Sequence, residues 1–165
     1  MFLTFLTFLI ILSYSFQIIK INKNKNANGI SYQSYLVGMI ASFSLFMIAT
    51  DNIIKYTSLV SFIMSLINLI LILFYHNKTN YHNKIENKKT FLISLFFSFI
   101  GVFGVAQSIK TYKYKGVSNV NIYSYSMWFF IDIILILKST NILTTISLFL
   151  SIIFYSYIIY KNKKI

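Results

Sequence analysis

MFLTFLTFLIILSYSFQIIKINKNKNANGIS, residues 1–31, holds the pattern that organises the whole chain. An apolar run, Met1–Phe16, gives way to Gln17 and a connector carrying Lys20, Lys23 and Lys25; Gly29-Ile30-Ser31 then opens the next apolar run. No basic stretch precedes Phe2 and no small-residue cleavage site follows Phe16, so the run reads as a retained helix rather than a signal peptide.

Working outward, five more apolar runs follow: Ile30–Ala49, Tyr56–Tyr75, Phe91–Ala106, Val117–Leu137 and Asn141–Tyr160. A bilayer core needs about 20 helical residues per crossing. Each run reaches that length alone or with a few flanking residues, and none alternates as barrel strands do. The expectation is an all-α integral membrane protein with six transmembrane helices, multi-pass in the lipid bilayer. Composition agrees: 57% of the 165 residues are hydrophobic and 11% charged, where a soluble chain carries about a quarter charged. The net charge of +12 is lysine, distributed in short tracts between apolar runs; that is the pattern of membrane loops and not of a nucleic-acid face. The absence of Cys excludes a disulfide framework.

The chain is also duplicated. Gln17, Lys20, Lys23, Lys25 and Gly29-Ile30-Ser31 return as Gln107, Lys110, Lys113, Lys115 and Gly116-Val117-Ser118. Ser58, Ser61 and Ser65 return as Thr144, Ser147 and Ser151, and Tyr75-His-Asn-Lys78 as Tyr160-Lys-Asn-Lys163. Three matches in order at nearly constant offset mark an internal repeat. Residues 1–75 form one three-helix repeat, the polar stretch 76–90 a connector, and residues 91–165 a second repeat with a short Lys-rich tail.

A helix ending near Gln, a basic turn, Gly-[Ile/Val]-Ser and then two more helices resembles the PQ-loop repeat family, which includes the SWEET and SemiSWEET sugar transporters and lysosomal amino-acid exporters. The motif residues here are Gln17, Gly29, Gln107 and Gly116. The resemblance covers nearly the whole chain and implies a small-solute carrier. The chain departs from the family's pattern in having no Pro: the motif's Pro-Gln is Phe16-Gln17 and Ala106-Gln107. The hinge that Pro would supply is missing; Gly101 and Gly104 offer the fourth helix some compliance. The family's extra inverting helix is also missing, because the connector 76–90 is too polar to cross. Six crossings would therefore place the two Lys-rich turns on opposite faces, with lysines balanced eight against seven across the membrane. Such balance would permit either orientation.

Intramembrane ionisable groups are costly and hence functional candidates. Asp132 is the one in an apolar run, and it shares a helical face with Asn121, Tyr125 and Trp128. An aromatic platform with an amide and a carboxylate suits a small solute; a hydrated Asp beneath interfacial aromatics is the alternative. Asn68 shares a face with Ser58, Ser61 and Ser65, a stripe that suits close helix approach; near mid-run and polar enough to line a solute pathway, it is a further transport candidate, with an interhelical hydrogen bond as the alternative. Gln17 and Gln107 are expected at helix ends within reach of water. His76, His82 and Glu86 lie in the connector and make no metal site. No set of catalytic residues emerges, so neither an enzyme nor a cofactor is expected. The resulting expectation is a carrier of a neutral or zwitterionic solute of the sugar or amino-acid class, working by alternating access and driven by protons if Asp132 titrates. The rival is a non-transporting PQ-loop-like membrane protein acting in assembly or interaction. Either is compatible with a homodimer.

Overall fold

The computed structural model describes residues 2–27, 30–48, 52–76, 88–99, 101–113, 120–138 and 142–163. Gly29, Gly116, Ser118, His82, Glu86 and most of the 76–90 connector lie outside them. Seven α-helices form: α1 (Phe2–Asn24), α2 (Tyr32–Ile48), α3 (Asn52–His76), α4 (Lys88–Phe99), α5 (Val105–Lys113), α6 (Ile122–Lys138) and α7 (Ile142–Lys163). No strand occurs among the described residues.

The helices form where the sequence has long apolar stretches free of Pro. α1 and α3 are long and apolar enough to cross a membrane, and α6 is a shorter apolar helix. The surface they present is apolar. Phe8, Ile70, Phe74, Phe96, Leu137 and Phe149 are all more than half exposed. The interior, in contrast, holds Ser13, Gln17, Ser65, Asn68, Gln107 and Ser151 essentially without exposure. Large apolar side chains cover the outside, while the inside mixes these polar groups with Ile21, Ile72, Ile131 and Ile158; an exterior so apolar departs from the usual soluble arrangement and suits a lipid surround.

Packing closes into a ring: α1 lies on α3, α3 on α2, α2 on α4 and α5, α5 on α7, α7 on α6, and α6 on α1. Where α2 packs on α3, Gly38 faces Ser65, and an added Cβ would make ordinary contact with its Oγ at 3.6 Å. At the end of the bundle where α1 finishes, Lys25 Nζ donates to Tyr75 Oη at 3.2 Å, so α3 finishes there too.

Two expectations are corrected. The fourth apolar run, Phe91–Ala106, is not one helix. α4 ends with Gly101 N–H on Ser98 O (3.0 Å) and Val102 N–H on Phe97 O (2.9 Å), a Schellman closure with Gly101 in the left-handed region at φ 80°. Gly104, at φ 82°, precedes α5, and the two short helices pack against each other. The two Lys-rich turns, secondly, are not at opposite ends of the bundle. Gln17 and Lys20 touch the start of α6, while Gln107 and Lys110 touch the start of α2. Both turns share one end, hereafter the turn end. Helix count alone implied opposite faces; the break in the fourth run removes that implication.

Candidate functional site

Inside the ring lies a cavity of about 660 Å³. From the turn end outward its wall passes from Tyr14, Tyr35, Tyr125, Tyr155 and Trp128 to Phe2, Leu45, Ile53 and Ile54 near the opposite helix ends. Hydroxyls come from Ser58, Ser61 and Ser65 of α3, from Ser94 and Ser98 of α4 and from Ser34 and Ser42 of α2. Among the described residues, none of the lining side chains is charged.

The aromatic floor is held by specific contacts. Trp128 meets Tyr14 edge-on, with ring centroids 5.4 Å apart at 87°. Tyr35 lies 6.3 Å from Tyr14, and Tyr155 lies 5.9 Å from Tyr125. Tyr14 Oη and Ser65 Oγ share a 2.7 Å hydrogen bond. In the second half Ser151, matched to Ser65 in the sequence, accepts the N–H of Phe103 at 2.9 Å. Ser65 thus ties α3 to α1, and Ser151 ties α7 to the α4–α5 break.

Below this floor the turn end is closed by four contacts that cross between the halves. Gln17 Oε1 accepts the N–H of Asn121 (2.9 Å) and Gln107 Oε1 accepts that of Ser31 (2.7 Å). Lys20 Nζ donates to Val120 O (2.9 Å) and Lys110 Nζ to Ile30 O (2.7 Å). Adding 90 to Gln17, Lys20, Ile30 and Ser31 gives Gln107, Lys110, Val120 and Asn121, so each contact is the image of another; the contacts thereby pair Ile30 and Ser31 with residues three positions beyond the Val117 and Ser118 of the Gly-[Ile/Val]-Ser match. Each glutamine satisfies a backbone donor at the helix start of the opposite half, where such donors have no partner within the helix. Each lysine donates to a carbonyl just before that start.

No family model, curated protein or solved structure matches this chain.

The residues singled out in the sequence divide in place. Tyr125 and Trp128 line the cavity. Asn121 does not; it is the N-cap of α6, with Oδ1 accepting from Tyr123 N–H (2.9 Å) and Nδ2 donating to Phe16 O. Asp132 is buried, 4% exposed, at the edge of the α6 face that runs through Trp128, Ile131 and Leu135. It is within electrostatic range of Tyr155, and its Oδ2 has no hydrogen-bond partner among the described residues. Asn68 is fully buried away from the cavity wall, with Nδ2 on Met64 O (3.0 Å) and Oδ1 without a partner among those residues. Gln17 and Gln107 are 0% exposed, not water-reached as expected, because the opposite half covers them.

Sequence reasoning missed Tyr14, Tyr35 and Tyr155, which a Tyr-rich composition hides. It also missed the roles of Lys20 and Lys110, although their equal place in the repeat was a signal that they share a task.

Proposed function

We propose that this chain is a multi-pass membrane carrier that moves a small neutral or zwitterionic solute by alternating access. The observation that carries the reading is the cavity, large enough for a metabolite, ringed by hydroxyls and aromatic faces and shut at the turn end by paired contacts between two repeated halves. The described wall side chains, all without charge, favour a solute with no net charge, since a lone ion would be desolvated among them without a partner. Aromatic faces would cover the apolar side of such a solute while Ser hydroxyls meet its polar groups.

Opening at the turn end would require Gln17 to leave Asn121 and Gln107 to leave Ser31. Because these contacts join one half to the other, separating the halves breaks all of them together and exposes the cavity floor. The similarity to PQ-loop carriers noted from the Gln, Lys and Gly-[Ile/Val]-Ser spacing points the same way.

The test is uptake by purified protein in proteoliposomes, offered a pooled metabolite panel and read by mass spectrometry. Selective accumulation of an uncharged or zwitterionic compound, reduced in Trp128→Ala, is the expected result. Equal retention by protein-free vesicles across a broad panel would leave the assembly role as the better reading.

A further inference from the structure

We propose that α4 and α5 form a re-entrant helical hairpin that enters and leaves by the turn end, so that the chain crosses the membrane five times. The tip of that hairpin forms one wall of the cavity. The inference rests on the membrane reading above, but not on any transport activity.

The path of the hairpin is recorded along α7. The ring of Phe97 packs on that of Phe154, centroids 6.3 Å apart. Four residues later, Gly101 lies against Ser147, 3.3 Å from its added Cβ to the Ser147 Cβ. Ser147 is seven residues before Phe154, about 10 Å further from the turn end at 1.5 Å per helical residue. The chain then comes back: Phe103 N–H reaches Ser151 Oγ, Gly104 abuts Tyr155, and Lys110 ends on Ile30 O at the turn end itself. A helix crossing from the far face would meet α7 in the opposite order, with Phe97 nearer the start of α7 than Gly101.

Length agrees. The 12 residues of α4 and the 9 of α5 extend about 18 Å and 13 Å, each roughly half of a 30 Å hydrocarbon core. Broken backbone at membrane depth is tolerated where it is buried in protein or lines a cavity. Both conditions hold here, because Val102, Phe103 and Gly104 line the cavity while Gly101 and Val102 donate to α4 carbonyls.

The charge distribution fits this path. Both Lys-rich turns and the end of α7 already place Lys20, Lys23, Lys25, Lys110, Lys113 and Lys161 at the turn end. With α3 ending and α4 beginning at the turn end, only Lys55 and Lys138 of the 11 lysines among the described residues lie at the far end. A bias that strong places the turn end in the cytoplasm. The cavity then reaches toward the opposite, external face.

The chain has no Cys, so single substitutions can be labelled cleanly with an impermeant thiol reagent. Lys23, Lys55, Lys88, Lys89 and Lys113 are all exposed, and each is replaced by Cys in the full chain. Lys55→Cys should react in intact cells; Lys23→Cys, Lys88→Cys and Lys113→Cys should react only after the cells are opened. Lys88 is decisive, and Lys89→Cys repeats its test one position on. Reaction of Lys88→Cys and Lys89→Cys from the Lys55 face would overturn the hairpin and make α4–α5 a crossing. Reaction of Lys23→Cys in intact cells would overturn the orientation. A protein that fails to take up solute would still give the expected labelling pattern, so the carrier reading and the hairpin fail separately.

Discussion

Gln17 and Gln107 stand ninety positions apart, and each caps the helix that follows the other's turn, through N–H groups of Asn121 and Ser31. The repeat is therefore not two bundles laid side by side. Each half completes a helix start in the other, and the cavity is closed by that exchange.

Removing one glutamine leaves a buried N–H without an acceptor, which costs about 1–3 kcal/mol. Gln17→Met and Gln107→Met, similar in volume and without an acceptor oxygen, should each lower thermal stability in detergent by that amount. The two sites hold different helices, so the double variant should lose close to the sum of the two. Unchanged melting of both single variants would exclude the capping role.

Gly104 and Tyr155 supply a second test. An added Cβ at Gly104 would stand 2.8 Å from Tyr155 Cε1, and its φ is +82°. Gly104→Ala should therefore suffer both backbone strain, about 1–2 kcal/mol for a left-handed non-Gly residue, and a steric conflict. Gly101→Ala shares the strain, but its Cβ meets Ser147 only at 3.3 Å, so it should be the milder change. Tyr155→Leu should offset part of the Gly104→Ala loss and none of the Gly101→Ala loss. Melting temperatures of the three single variants and the two doubles decide this; equal effects of both alanines would contradict the close Gly104–Tyr155 packing.

The spacing of Gln17 and Gln107, and the lysines after them, was legible in the sequence because repetition survives a biased composition. Their burial was not, because it depends on the opposite half arriving at the same end. The break at Gly101–Gly104 was visible as two glycines in a short run, yet a glycine pair alone does not distinguish a compliant helix from a reversal. That distinction comes from Ser147, Ser151 and Tyr155 of α7, far off in sequence. Trp128 and Tyr125 were legible from helical spacing. Tyr14 was not, since its place on the floor is fixed by Ser65, 51 residues away. Asn121 was assigned to the solute by its face, whereas its position directly before α6 gives it the local hydrogen bonds of a cap.

Trp128→Ala should weaken solute binding without unfolding the bundle. The indole supplies contact area on the cavity floor, and an aromatic contact contributes about 0.5–1.5 kcal/mol beyond buried area, equivalent to roughly two- to tenfold in affinity. The expected signature in proteoliposomes is a raised KM with maximal rate little changed, at every pH. Tyr14→Phe keeps the ring beneath Trp128 and removes only the Ser65 hydrogen bond, so it should lower stability by about 1 kcal/mol and leave KM near its starting value. A KM unmoved by Trp128→Ala would displace the site from the cavity floor.

Asp132 carries the sharpest prediction. Its Oδ2 lies buried without a hydrogen-bond partner among the described residues, and it stands beside the cavity wall near Tyr155 rather than in it. A carboxyl so placed can act on transport through a proton without touching the solute. If it carries that proton, its protonation must change during the cycle, and Asp132→Asn, which keeps the shape and cannot exchange the proton, should abolish accumulation driven by a pH gradient. Exchange of solute for solute, which needs no net proton movement, should continue. A purely structural Asp132 gives a different pair of results: Asp132→Asn accumulates solute normally, and Asp132→Leu inserts as well or better, since a carboxylate at helix centre costs ~2.5–3.5 kcal/mol on insertion scales. Measuring gradient-driven uptake and exchange side by side in Asp132→Asn and Asp132→Leu separates the two. Normal pH-gradient-driven accumulation by Asp132→Asn would exclude Asp132 as the group that carries the proton.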